Sequence, residues 1–295
     1  MAEEIQVAAA GDPVDKKSKS GTGKPDLASV GGLVLALAGI LGGLLLEGGK
    51  LKDVAQFTAA LIVLGGTIGA VLVSTPLSTL KGALRRFTGV FLDTTQPPDA
   101  LIEELIGYAK QARKQGLVSL EQQALAIEDP FMQKALNLAV DGTDIQEIRK
   151  MLELQIELEE HNAESEAKVF ECAGGYAPTI GIIGAVLGLI QVMKNLANID
   201  EVGRGIAVAF VATVYGVGSA NLFFLPSATK IKARAHCETQ RKELILEGVC
   251  GIVEGLNPKL IRSKIEAYAH KAAVGSNKAQ NATSAHPAEA PAGVG

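Results

Sequence analysis

The sequence predicts an all-α membrane protein with four transmembrane helices, a helical cytoplasmic domain between spans two and three, and a cytoplasmic helix after span four. Three observations predict it. Four runs, 27–46, 57–80, 172–193 and 205–229, contain no charged residue, and each reaches the roughly 20 residues that a helix needs to cross a bilayer core. The segments between and after them, 81–171 and 230–272, are charged and rich in helix formers. Basic residues gather at matching flanks: Lys81, Arg85 and Arg86 after the second run, and Lys230, Lys232 and Arg234 after the fourth. A composition of 47% hydrophobic and 20% charged residues over 295 positions, with a mean hydropathy of +0.24, is then the average of two materials suited to two solvents.

Residues 1–26 are polar, with Lys16, Lys17, Lys19 and Lys24, and read as a disordered extension. Gly21-Thr-Gly-Lys24 resembles part of a phosphate loop, but the earlier glycine is missing and Pro25 stands where Ser or Thr is required. The runs 27–46 and 57–80 form a hairpin. A second span follows directly after the loop 47–56, with no small-residue cleavage site before it, which argues against a cleaved signal. Buried soluble helices would show a polar stripe every 3.6 residues, whereas these runs are apolar or small all round. Basic flanks stay inside, so both termini and 81–171 are assigned to the cytoplasm.

Within 81–171, Leu101, Ile102, Leu105, Ile106 and Ala109 recur at helical spacing after Pro97-Pro98 and Asp99. From Asp144 to Glu171, Ile145, Ile148, Leu152 and Ile156 line one face of a helix that runs straight into the third span. Spans 172–193 and 205–229 form a second hairpin. Residues 230–272 include another amphipathic stretch, 238–254, with Leu244, Ile245 and Val249, and 273–295 read as a disordered tail in which the sequon Asn281-Ala-Thr283 has no meaning.

Several function classes are disfavoured. The net charge of −4 comes without a strongly basic domain, so nucleic-acid binding is not expected. Cys172, Cys237 and Cys250 have no metal-ligand or CxxC spacing, so neither a metal, a cofactor nor a catalytic site is expected. No ionisable residue lies inside any span, although ion-conducting proteins normally place one there. If the chain conducts ions, a partner supplies the carboxylate. The spans do carry small residues at spacings of three or four: Gly65 and Gly69, Gly184 and Gly188, and Gly216, Gly218, Ser219 and Ala220. These permit close helix contact, within the chain or with a partner. Pro178 and Pro226, near the inner ends of spans three and four, each remove a backbone hydrogen bond at similar depth, giving either static kinks or a hinge. Thr213 lies mid-span in the fourth run, level with Ala185 in the third; its hydroxyl either serves ions or bonds back to its own helix.

Gly175-Tyr-Ala-Pro-Thr-Ile-Gly-Ile-Ile-Gly-Ala-Val-Leu-Gly-Leu189, Ala207-Val-Ala-Phe-Val-Ala-Thr-Val-Tyr-Gly216 and Asn221-Leu-Phe-Phe-Leu-Pro226, with Phe131-Met-Gln-Lys134 and Val140-Asp-Gly142 between the hairpins, resemble the A subunit of the bacterial flagellar stator, the MotA/PomA family. The resemblance spans roughly 28–270; the long polar start and the Ala-rich tail fall outside it. It implies an inner-membrane, torque-generating channel component. The partners it implies are further copies in a pentameric ring, a dimer of single-span B subunits each bearing an intramembrane Asp, membrane lipids, and the rotor protein FliG.

By the same resemblance Pro178 and Pro226 couple ion passage to movement of the cytoplasmic domain, and Arg113, Lys114 and Glu121 meet the rotor. Gln122 stands where the family has a further acidic residue. Sodium-driven members present Thr at the positions of Ala185 and Ala212 as well as at Thr213. Sodium needs several oxygen ligands, so two alanines here favour protons. Other readings are an energiser of outer-membrane processes of the ExbB or TolQ type, disfavoured by two spans before residue 81, a sodium-driven stator, and a scaffold without ion traffic.

Overall fold

The computed structural model describes residues 24–90, 92–93 and 98–268; most of the polar extension and the Ala-rich tail lie outside them. Helix α1 spans Leu27–Leu46, a single turn α2 Leu51–Val54, α3 Phe57–Ser74 and α4 Leu77–Val90. Then come α5 Pro98–Gln115, a 3-10 turn Leu117–Leu120, α6 Glu121–Leu125 and α7 Pro130–Val140. The 50-residue α8, Ile145–Lys194, is followed by α9 Ile199–Ser219, a π-helical turn Ala220–Phe224, α10 Leu225–Val253 and α11 over residues 258–268. Among the described residues the sole extended pairing is a two-residue antiparallel bridge joining β1, Lys24–Pro25, to β2, Leu92–Asp93.

Among the described residues four helices are long and apolar enough to cross a membrane. Two boundaries differ from the sequence expectation. The run 57–80 breaks after Ser74: Thr75 is extended (φ −131°, ψ 134°) because Pro76 bars the helical region to the residue before it. The third span has no boundary with the charged stretch before it, as expected, and the fourth, against expectation, has none with the charged helix after it. α8 carries both the charged stretch and the third span, and α9, the π turn and α10 carry the fourth span and the charged helix beyond it.

Local signals fix the helix starts. Asp129 caps α7 by accepting from Phe131 N at 2.8 Å, with Pro130 at the first helical position. Asp144 caps α8 through Gln146 N at 2.8 Å, and Asn198 caps α9 through Asp200 N at 3.2 Å. Gly116 and Gly142, at φ +84° and +74°, end α5 and α7 in a left-handed conformation that a side chain disfavours.

The charged part is a helical bundle with its own core. Leu105 and Ile106 of α5, Leu136 of α7, Ile148 and Leu152 of α8, Ile245 and Val249 of α10 and Ile265 of α11 are at most 1% exposed. All but Leu136 and Ile265 lie on the amphipathic faces expected from 99–112, 144–171 and 238–254. Burial of each such side chain contributes about 2 kcal/mol. The apolar part is packed differently, by close approach of small residues.

Candidate functional site

The α8–α9 hairpin closes over a seam of Gly and Ala. A Cβ at Gly216 would stand 2.6 Å from the Ala177 carbonyl oxygen and 3.0 Å from Gly181 Cα. One at Gly184 would stand 2.7 Å from Ala212 Cβ, and one at Gly188 2.8 Å from Ala209 N. Positions 177, 181, 184 and 188 therefore face 205, 209, 212 and 216, backbone nearly on backbone. Such contact replaces the hydrophobic drive that is absent between helices in lipid. The same register explains Gly184 and Gly188 as packing within the chain. Gly65, Gly69 and Gly218 differ: a Cβ at any of them meets nothing within 4 Å.

Helix α3 lies across this seam. A Cβ at Gly184 would also reach Ile62, and one at Gly66 would reach Ile180. Ala59, Val63, Val211 and Ala212 form a small buried cluster there. Tyr215 completes it, its hydroxyl donating to Val54 O and accepting from Gln56 N at 3.3 Å. It thereby pins the turn before α3 onto α9.

The predicted coupling residues lie along the hairpin. Gly184 faces Ala212, so Ala185 and Thr213 share one level, as expected from the sequence. Ala212 is fully buried in the seam, Ala185 is half-buried and Thr213 is exposed. The Thr213 hydroxyl donates to Ala209 O at 3.2 Å, the back-bond open to a helical Thr, and keeps its lone pairs for another donor. Gly174 lies against Phe224 and Leu225, so Pro178 and Pro226 each fall within about one helical turn of a single contact.

The two prolines act on their helices differently. α8 continues through Pro178, with the Thr179 hydroxyl donating to Tyr176 O at 2.8 Å. Before Pro226 the chain widens into the π turn, which relieves the clash between the proline ring and the Leu222 carbonyl. Ser227 Oγ donates to Phe223 O at 2.6 Å and Asn221 Nδ2 to Val217 O at 2.9 Å, supplying donors where the regular ladder is disturbed.

Just beyond the seam an ionic girdle ties α4, α8 and α10 together. Arg86 of α4 pairs with Glu166 of α8, and a Cβ on Gly82 would collide with the Glu166 carboxylate. Lys232 of α10 meets Glu171 at 2.7 Å, and Lys242 pairs with Glu159. Phe87 stacks on Phe170 with ring centroids 5.3 Å apart. Lys230 and Arg234 pair with Asp26, which also accepts from Ser29 N and so caps α1. The Lys230 ammonium holds the Asp26 carboxyl well down, at a pKa of about 2.

Sequence reasoning missed Tyr215, Gly82, Glu166 and Asp26. Their partners are far along the chain, 80 residues for Arg86–Glu166 and 161 for Tyr215–Val54. The one local signal was Arg86 itself, which the flank pattern had assigned only to orientation.

The predicted rotor-contact residues stand on the bundle, where α5, the 3-10 turn and α6 make a corner. Arg113, Lys114 and Glu121 are all exposed there. Gln111 locks the corner from within, donating to Ser119 O at 2.9 Å and accepting from Gln123 Nε2 at 2.6 Å. Val118 and Leu125 project between the charges, 69% and 71% exposed. Among the described residues no group of three or more His, Cys, Asp or Glu side chains is placed to hold a metal ion.

Comparison with known proteins agrees in both halves of the chain. Residues 123–244 match the MotA/TolQ/ExbB proton channel family, and residues 30–116 match the motility protein A N-terminal family. Motility protein A of Bacillus subtilis is 35% identical over 247 residues, covering 82% of this chain and 90% of its own length. Chemotaxis protein PomA of Vibrio alginolyticus is 34% identical over 243 residues, covering 82% and 95%. The solved C. jejuni MotAB structure aligns with a TM-score of 0.79 at 34% identity, covering 82% of this chain and 95% of its own. The MotAB stator complex of Bacillus subtilis aligns with a TM-score of 0.76 at the same identity and coverage.

Proposed function

The chain belongs to the MotA/TolQ/ExbB proton channel family, in its motility protein A branch, and from that premise we propose how its geometry serves a stator. It is a multi-pass protein of the inner membrane and a subunit of the flagellar motor stator, working in an oligomeric assembly with a MotB-type partner. In the finer reading, five copies ring two B subunits, with the bundle and both chain ends on the cytoplasmic side. The Asp on each B-subunit span faces α8 and α9. The exposed corner bearing Arg113, Lys114 and Glu121 meets FliG.

One observation carries this reading: a single 50-residue helix runs from the bundle through the spanning seam. At 1.5 Å per residue it is about 75 Å long. A displacement at the seam therefore reaches the bundle without crossing a loop. Protonation of the partner Asp removes a charge that is costly in low dielectric. The neutral helix then slides past α8 and α9 until deprotonation arrests it, and Pro178 and Pro226 let α8 and the α9–α10 rod bend as it passes.

Protons are the coupling ion. Overall identity does not separate the two ion classes, since motility protein A and PomA relatives stand at 35% and 34%. The residues along the spans favour protons. Ala185 and Ala212 carry no side-chain oxygen, so of the three positions only exposed Thr213 offers one, too few to replace the water around sodium. Swimming speed is expected to collapse with a protonophore and to be independent of external sodium; speed that follows sodium and ignores the protonophore overturns the assignment. The ExbB or TolQ reading is disfavoured by α1 and α3, two spans preceding the bundle within the stretch that matches motility protein A.

A further inference from the structure

We propose that the cleft between α1 and the π turn is a binding site for one anionic phospholipid, with an acyl chain between the helices and the headgroup at Lys230. The proposal rests on the reading of 27–46 and 205–229 as membrane spans and is independent of the stator role.

α1 touches the rest of the chain very little, and none of its spanning window is buried. It is tied down at its N-terminal end, where Asp26 pairs with Lys230 and Arg234. Beyond that tie a cleft of about 320 Å³ opens, with Gly32, Leu33 and Ala36 on one wall and Leu222 and Phe223 on the other. A Cβ on Gly32 would meet nothing within 4 Å. The Ser29, Asn221 and Ser227 side chains that also line the cleft are bonded within the chain, so most of what it presents is apolar and at this depth opens onto hydrocarbon that an acyl chain fills.

The mouth sets the headgroup. Lys230 and Arg234 both face the Asp26 carboxylate, so two cations gather at the mouth. The Lys230 side chain is 33% exposed, and its ammonium carries three donors. Cation at the mouth and hydrocarbon behind it match an anionic phospholipid end to end. Pro226 and Ser227 line the same cleft, so the lipid would sit as a wedge against the π turn.

The test uses the full chain purified in detergent, with uptake of phosphatidylglycerol and phosphatidylcholine followed by native mass spectrometry. Phosphatidylglycerol is expected to bind about fivefold more tightly, the ratio that about 1 kcal/mol per basic residue corresponds to. Lys230→Gln should reduce the two lipids to parity. Gly32→Phe and Ala36→Phe should each abolish the tightest-bound lipid while the chain keeps its melting temperature. Equal uptake of both lipids by the parent chain overturns the proposal. So does undiminished uptake by both cleft-filling variants, or a cleft-filling variant that changes the number of copies per particle and not the bound lipid, since the cleft then holds a second copy.

Discussion

Gly216 shows how much the hairpin depends on single atoms. Any side chain there runs into the Ala177 carbonyl, whereas Gly218, two residues on, has open space around it. Gly216→Val is expected to destabilise the purified protein by about 1–3 kcal/mol, and Gly218→Val to leave the seam intact. Thermal unfolding of the two variants side by side checks this, and equal losses would show that the seam is not where the helices meet. A second residue-scale case is Glu247, buried between Arg149 and Lys264 at 2.7 Å each. Burial pushes its carboxyl up, but the hydrogen bonds from Arg149 and Lys264 outweigh that and hold it below the usual carboxylate range. A depressed folded value means that this stabilisation is complete at neutral pH and fades as pH drops below about 4 toward that value. Unfolding followed from pH 7 downward should show the decline, and Glu247→Gln should flatten it. At neutral pH Arg149→Met should cost about 2 kcal/mol, because a buried carboxylate loses its charged partner on α8.

At the scale of elements, the π turn and Pro226 form one device. Pro226→Ala removes the ring that clashes with the Leu222 carbonyl, so the turn should tighten to regular helix. Motility should then fall several-fold while stator assembly at the membrane persists; normal swimming would reduce the proline to a static bend. The spans and the amphipathic helices were legible in the sequence because each signal lies within one turn or one run, as with the small residues at 184 and 188 or the buried 148, 152 and 156. Asp144 and Asp129 show why the helix starts could be read from two or three residues. The π turn could not. Its cause, Pro226, was visible, yet whether a proline kinks a helix or widens it depends on neighbours such as Ser227 and Asn221 that take up the disturbed carbonyls. The same holds for the break at Thr75, where a continuous apolar run hid the constraint imposed by Pro76. Of the candidate site, the level of Ala185 with Thr213 was readable. The burial of Ala212 was not, since it depends on which face of α9 turns toward α8.

For the molecule as a whole, the exposed corner belongs to the bundle and the seam to the spans, and α8 and the α9–α10 rod join the two. Reversing Arg113→Glu and Glu121→Lys is expected to stop or strongly slow swimming while protein level and melting temperature stay unchanged, because both side chains project into solvent away from the bundle core. Unimpaired swimming of the double variant would remove the corner from the rotor contact. The long continuous helices carry a thermodynamic consequence as well. α8 and the α9–α10 rod each contribute residues to the apolar seam and to the bundle core. Melting the bundle would fray the helices that the seam holds, and splaying the seam would tilt those that the bundle holds. The protein therefore unfolds cooperatively across two solvents, as one unit whose weakest half sets the tolerance of the other.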